Sequence, residues 1–166
     1  MSNDIFSTNN SVETNNFMSI MQFIAKWEWR GREDGALTDD KQDLGGVTKF
    51  GIAQKFHPEI SVRDLTLKDA LQIYYDEYWL GSGADKLPMP LAGIVMDTAV
   101  NMGVGRAKQF LKAADGKWWV MMSKRKEYYA NRRVADPEHS ERFYKGWMNR
   151  LNDLDKWATI WEQDNG

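Results

Sequence analysis

Several absences limit what this 166-residue chain can be. It has no cysteine, which excludes a disulfide framework, a thiol nucleophile and a thiolate metal site. Its two histidines, His57 and His139, are far apart in sequence, so we assign neither to zinc and expect no metal or cofactor. No apolar run approaches the roughly 18 residues of a membrane-spanning helix. We therefore expect no stable insertion in a membrane. We also expect a monomer.

The chain also has no large excess of charge of one sign. The net charge is −2, from 22 basic and 24 acidic residues, which argues against a protein that captures nucleic acid or acidic lipid electrostatically. What is present is apolar and aromatic: 42% of the residues are hydrophobic and 13% are Phe, Trp or Tyr, enough to fill a core. The length suits one domain, with at most a small appendage.

The first 16 residues are polar and rich in Asn, Ser and Thr. They have no helical spacing of apolar residues, so residues 1–16 are predicted to be a flexible tail. They also lack the basic and apolar regions of a secretory signal peptide, and we therefore expect synthesis in the cytoplasm without a signal peptide.

Apolar spacing beyond the tail predicts a mainly α fold. From Asn16, a possible N-cap, one helical face carries Phe17, Ile20, Met21, Ile24, Trp27 and Glu28. Further helices are predicted at about 49–56, from a Thr66/Asp69 cap to Trp79, after Pro90 to about residue 102, and at about 105–114, 117–132 and 140–162, the last with Ser140 as its cap. The charged, glycine-containing stretch 30–46 reads as an irregular loop or a short hairpin.

Glu28 is the first candidate for chemistry, because a carboxyl on an apolar face keeps its proton more readily than one in water, as a general acid requires. Asp43, in a hydrated glycine-rich loop, would stay ionised, and the two together match a glycosidase pair. Thr48 offers a hydroxyl that can orient water. The alternative is structural: Glu28 caps nearby backbone or pairs with Arg30 or Arg32.

Aromatic and polar residues further along are candidates for substrate binding. Tyr78 and Trp79 can stack on sugar faces, Trp79 being the better cleft candidate because it ends its helix beside Gly81. Asp97 and Asn101 lie four residues apart on an apolar helix, so they can face a cavity together or only knit the core.

The ordered motifs resemble glycoside hydrolase family 108, the phage endolysins and related bacterial N-acetylmuramidases. The resemblance covers about residues 17–157 and rests on Glu28 at a helix end, Asp43-Leu44-Gly45-Gly46-Val47-Thr48-Lys49-Phe50-Gly51-Ile52, Leu65-Thr66, Tyr74, Tyr78-Trp79, Asp97-Thr98-Ala99-Val100-Asn101-Met102-Gly103 and Phe143-Tyr144-Lys145-Gly146-Trp147-Met148-Asn149-Arg150. Members usually carry Glu-Gly-Gly-Tyr where this chain has Glu28-Trp29-Arg30-Gly31, and the loop before Asp43 is a few residues longer here.

The resemblance implies a lysozyme-like helical fold that cleaves the β-1,4 bond between N-acetylmuramic acid and N-acetylglucosamine in peptidoglycan. It places Glu28 at the catalytic acid position and favours Asn101 as a substrate hydrogen-bonder supported by Asp97. It implies a catalytic region at 17–103 and a C-terminal helical region at 104–162 that resembles a peptidoglycan-binding domain, whether as a separate unit or part of the same globule.

Two other functions remain open on the sequence. A lytic transglycosylase needs one acid and no activated water, and a non-catalytic wall-binding module would use Glu28 only structurally. For the endolysin reading, we expect the protein to act at the cell wall or periplasm after release from the host cytoplasm by a holin or another export route.

Overall fold

The computed structural model describes residues 11–39 and 46–166. Helices dominate this part of the chain, and a three-stranded antiparallel sheet in the order β1-β2-β3 accompanies them. The principal elements are α1 Ser11–Trp29, β1 Thr38–Asp39, β2 Val47–Lys49, β3 Ile52–Ala53, α2 Leu67–Ile73, α3 Leu91–Met102, α4 Val104–Ala114, α5 Trp118–Ala135 and α6 Pro137–Asn165. Short 3-10 helices cover Gln54–Phe56, Val62–Asp64 and Ala84–Lys86. The mainly α, lysozyme-like fold class predicted from the sequence is confirmed.

Helix α1 buries the apolar stripe expected of it. Phe17, Ile20, Met21 and Ile24 are at most 2% exposed. The helix already includes residues 11–16, so Asn16 is not its cap and the tail prediction is wrong for these six positions, while residues 1–10 lie outside the described residues.

The segment predicted as a helix at 49–56 is mostly a β-hairpin. Strands β2 and β3 pair Thr48 with Ala53 and Lys49 with Ile52, and Phe50 and Gly51 form the two-residue turn between them. Both turn residues have positive φ, 53° and 73°, which suits the twist of a tight hairpin and cannot be continued as an α-helix. Helical structure is confined to the 3-10 turn Gln54–Phe56.

Helix α2 begins with the predicted capping box. The Thr66 side chain accepts a hydrogen bond from the Asp69 amide, and the Asp69 carboxylate accepts one from the Thr66 amide at 2.9 Å. The Thr66 hydroxyl also donates to the Asp69 carboxylate at 2.6 Å, and this bond first, then that from the Thr66 amide, lowers the pKa of Asp69. The last part of the predicted helix is not α-helical: Tyr74–Leu80 is a π-helix, a wider coil that changes which side chains point inward.

Helices α3 to α6 belong to the C-terminal part of the chain. Helix α3 is buried at every residue from Leu91 to Ala99, as its nearly all-apolar sequence predicts. Helix α6 begins at Pro137 rather than near Ser140, because the Asp136 side chain caps it by accepting from the His139 amide. Ser140 is buried instead and donates to the Arg132 carbonyl at 3.1 Å.

A buried ionic cluster ties three of these helices together. Asp97 on α3, 0% exposed, accepts from Arg125 Nη1 of α5 at 2.8 Å and from Arg150 Nη2 of α6 at 2.7 Å. Burial by itself raises the pKa of Asp97, but the charges and hydrogen bonds of Arg150 and Arg125 outweigh it, so the pKa lies below its ordinary value. The carboxylate is therefore ionised and structural.

The described residues divide after Trp79 into two compact units. This geometric division differs from the boundary after residue 103 that separates the expected catalytic and C-terminal regions. The latter concerns function, and it stays a prediction. Among the helices of residues 11–39 and 46–166, none is both long and apolar enough to cross a membrane.

Replacing Asp97 by Asn should lower the free energy of unfolding by about 3–5 kcal/mol, because two buried guanidinium groups lose their counter-charge. Since the pKa of Asp97 is lowered in the folded state, its contribution is present above about pH 4 and is lost as the pH falls through the folded value. Urea unfolding at several pH values measures this. Asp164→Asn, at an exposed position, is the control, and a loss at neutral pH no larger than that of the control would contradict the prediction.

Candidate active site

Glu28 is the penultimate residue of α1 and is half-buried. The helix ends at Trp29 because the two residues after it, Arg30 and Gly31, both have left-handed backbone, with φ of 56° and 63°. The Gly31 amide donates back to the Ala25 carbonyl at 3.1 Å, which reverses the chain. The carboxylate of Glu28 therefore lies at a helix end beside a sharp turn.

The β2–β3 turn packs directly against Glu28. A Cβ atom added to Gly51 would lie 3.1 Å from Glu28 Cβ and 3.3 Å from Glu28 Oε2, and only 2.7 Å from the Tyr74 hydroxyl oxygen. Gly51 thus has two reasons to lack a side chain, its left-handed φ and this close approach.

The turn is held by Tyr74, one of the residues on which the family resemblance rests. The buried Tyr74 hydroxyl donates to the Phe50 carbonyl at 2.9 Å. The Trp29 ring lies 5.6 Å from Phe50 and 5.8 Å from Tyr74, so the end of α1, the turn and the π-helix share one aromatic cluster. The Phe50 amide also donates to the Gly35 carbonyl at 2.7 Å, which attaches the loop after α1.

Glu28 and Thr48 line a common cleft of about 370 Å³. Thr48 lies in the middle of β2, where it pairs with Thr38 of β1. The structure therefore brings together two of the three predicted catalytic residues, and the third, Asp43, lies outside the described residues. The full lining is Glu28, Arg30, Arg32, Ala36, Leu37, Thr38, Thr48 and Gly51.

Two arginines on this cleft differ in how their charge is balanced. Arg32 donates to both carboxylate oxygens of Asp34, at 2.9 and 2.5 Å, and its hydrogen bond is the main reason why the pKa of Asp34 is lowered. Arg30 is exposed and, within the described residues, makes no ion pair or side-chain hydrogen bond. Neither arginine forms an ion pair with Glu28 there, which removes the pairing half of the structural alternative and leaves the backbone-capping half open.

Tyr78 lies close enough to Glu28 for its charge to matter. Burial is the main cause of the raised pKa of Tyr78, and the negative charges of Glu77 and Glu28 raise it further. The half-buried phenol is therefore neutral near pH 7 and its ring lies 5.5 Å from that of Tyr74. Its role as a substrate-binding residue stays a prediction.

One predicted substrate contact, Trp79, is wrong. Trp79 is 1% exposed and its ring packs against Phe17 at 5.9 Å, since the wider π-helical coil brings it into the core. Asp97 is fully buried in its ion pairs and is not itself a substrate contact, so its support of Asn101 stays a prediction. Asn101 is half-buried, and its Oδ1 accepts from Arg125 Nη2 at 3.1 Å and from Tyr129 at 2.5 Å, so its substrate contact stays a prediction.

A larger cavity, about 450 Å³, lies elsewhere in the first unit and does not include Glu28. Its wall contains the buried His57, whose Nε2 is 2.9 Å from Glu77 Oε1, and burial is the main cause of the raised pKa of Glu77. Across residues 11–39 and 46–166, no group of three or more His, Asp or Glu side chains is arranged to hold a metal ion. Size alone therefore does not identify the site, and the chemistry favours the smaller cleft.

A lysozyme-like fold with a helix-end glutamate in a cleft suits an enzyme that cleaves glycosidic bonds. The chain belongs to the family described as Glycosyl hydrolase 108, whose model matches residues 21–103, half of the sequence. The family supports peptidoglycan as the class of substrate.

A solved structure titled "Structure of Brucella abortus SagA" has the same fold, with a TM-score of 0.69 and 21% sequence identity. The alignment covers 91% of this chain and 98% of that one. Among curated proteins, none matches the chain significantly in sequence. The structural likeness supports the fold, whereas the assignment to a hydrolase family rests on the sequence match.

The contact between Gly51 and Glu28 predicts that Gly51→Ala disrupts both stability and hydrolysis of peptidoglycan. Gly116→Ala is the matched control: Gly116 has φ of 75°, close to the 73° of Gly51, but no atom of the described residues lies within 4 Å of an added Cβ. Left-handed strain should cost about 1–2 kcal/mol at both positions, and the steric clash should add to it only at Gly51. Thermal unfolding and release of soluble peptidoglycan fragments measure the two effects. Equal stability losses with equal activity would contradict the prediction.

Proposed function

We propose that the protein is an N-acetylmuramidase that hydrolyses the β-1,4 bond between N-acetylmuramic acid and N-acetylglucosamine. The observation that carries this proposal is that Glu28 and Thr48, which come from different elements of secondary structure, line one cleft. Acid-assisted hydrolysis needs both groups. The carboxyl supplies a proton to the departing oxygen, and the hydroxyl is a hydrogen-bonding partner for water.

In this mechanism Glu28 donates its proton to the glycosidic oxygen as the bond to the anomeric carbon breaks. Positive charge develops on the sugar ring, and Asp43 is proposed as the carboxylate that stabilises it or activates the attacking water. Water supplies the new hydroxyl at the anomeric carbon, and Thr48 orients that water. The half-buried side chains of Tyr78 and Asn101 are proposed to contact the glycan.

The proposal extends to the biological role of an endolysin. The protein would be made in a host cytoplasm, reach the wall through a holin or another export route, and act as a monomer on peptidoglycan. Fractionation of producing cells with and without a holin tests the route. Finding the protein in the periplasm without either a holin or another export system would overturn it.

Glu28→Gln should reduce cleavage by about 100- to 10,000-fold, the usual contribution of a general acid, because the amide has no proton to transfer in its place. Mass spectrometry of fragments released from purified peptidoglycan is the measurement, with reducing N-acetylmuramic acid ends expected from the unaltered protein. Glu33→Gln, at an exposed residue absent from the cleft lining, is the matched control and should retain full activity.

The other outcomes of that experiment separate the alternatives. Equal activity of the unaltered protein and Glu28→Gln would refute the role of Glu28. Fragments with 1,6-anhydro ends would indicate a lytic transglycosylase that uses the same acid. Retention on sacculi without fragments from either protein would indicate a non-catalytic binding module.

Thr48→Val keeps the branched shape that suits strand β2 but removes the hydroxyl, so we expect about a tenfold loss of kcat, equivalent to one hydrogen bond of about 1.4 kcal/mol. Thr48→Ser restores a hydroxyl and should recover most of the rate. Initial rates on soluble glycan strands measure this. If both Thr48→Val and Asp43→Ala retained full activity, an activated water would be unnecessary and transglycosylation would be favoured.

A further inference from the structure

Arg30 has a backbone conformation that glycine adopts far more readily. Its φ of 56° is left-handed, and it follows directly on the helix that ends with Glu28 and Trp29. Side chains other than glycine are strained there, and such strain is typical of positions where the side chain is needed for function. The glycine that would relax the turn is absent, and a cationic residue lines the cleft in its place.

Among residues 11–39 and 46–166, the charge of Arg30 is not balanced by any partner. Other exposed arginines of the first unit are paired, Arg32 with Asp34 and Arg63 with Asp39. Arg30 lines the same cleft as Glu28, yet among the described residues it has no ion-pair partner and no side-chain hydrogen bond. An unpaired guanidinium presents a planar set of donors that fits a carboxylate with two parallel hydrogen bonds.

We propose that Arg30 binds a carboxylate of the peptidoglycan strand next to the cleaved bond, and that it makes the enzyme prefer strands in which this carboxylate is free. The inference rests on the proposed function, because it takes peptidoglycan as the occupant of the cleft. Muramic acid carries a lactyl ether whose carboxyl group is free in peptide-stripped glycan. In intact strands that carboxyl is an amide, and the nearest carboxylates belong to the attached peptide.

The test measures binding apart from hydrolysis. Dissociation constants are determined in the Glu28→Gln background for soluble intact strands, for peptide-stripped strands, and for each after carbodiimide amidation of its carboxylates. Adding Arg30→Gln should weaken binding of unmodified strands about tenfold and flatten its dependence on salt. Arg30→Lys should retain part of the affinity. Amidation of the strands should weaken their binding to the Glu28→Gln protein by about as much as Arg30→Gln does. It should not further weaken binding to the protein that also carries Arg30→Gln.

Arg30→Gly separates a binding role from a structural one. Glycine relieves the left-handed strain, so the melting temperature of the Arg30→Gly variant should equal or exceed that of the parent protein. Its affinity for the strands should fall as it does for Arg30→Gln. Lys55→Gln removes an exposed cation that does not line the cleft and should leave binding unchanged.

The comparison of intact with peptide-stripped strands identifies the carboxylate. An effect of Arg30→Gln on stripped strands alone points to the lactyl group, and an effect on intact strands alone points to the peptide. Unchanged affinity of Arg30→Gln for both strands, or unchanged affinity of the parent protein after amidation, would overturn the proposal. Failure of the unaltered protein to cleave would count against the proposed hydrolysis only, since the role of Arg30 is judged from the dissociation constants.

Discussion

The hydrogen bond from Tyr74 to the Phe50 carbonyl is the interaction on which the candidate site depends. It fixes the β2–β3 turn to the π-helix, and the turn in turn places Gly51 against the carboxylate of Glu28. A buried hydrogen bond contributes only about 1 kcal/mol net, but a carbonyl left without its donor costs about 1–3 kcal/mol. The turn is therefore kept in one position, and with it the shape of the cleft in which Thr48 meets Glu28.

The charged side chains in the described part of this protein differ in whether they have an ion-pair partner. Where the charge is structural it is paired, even in the core, as Asp97 is with Arg125 and Arg150. At the cleft, Arg32 is paired in the same way, whereas Arg30 presents its charge to solvent from a strained backbone. This contrast separates residues that stabilise the fold from the one proposed to bind a ligand.

The sequence predicted the helices better than the turns. The stripe from Phe17 to Ile24 and the capping box at Thr66 depend on residues three or four positions apart, so local spacing is sufficient to identify them. The hairpin at Phe50 was missed because a left-handed phenylalanine is selected by contacts with Gly35, Trp29 and Tyr74, which are remote in sequence. Trp79 was misplaced because nothing in the spacing indicated that the helix widens into a π-helix.

By itself the sequence determined the mainly helical class, the glutamate on an apolar helix face and the family to which the chain belongs. These depend on residue type and on short-range periodicity, both of which are visible in the sequence itself. Only the tertiary structure decided that Glu28, Thr48 and Arg30 line one cleft and that Asp97 and Trp79 are buried. The physical reason is that burial and proximity are set by packing between elements far apart along the chain, where hydrogen bonds and steric limits select one arrangement among many that local preferences allow.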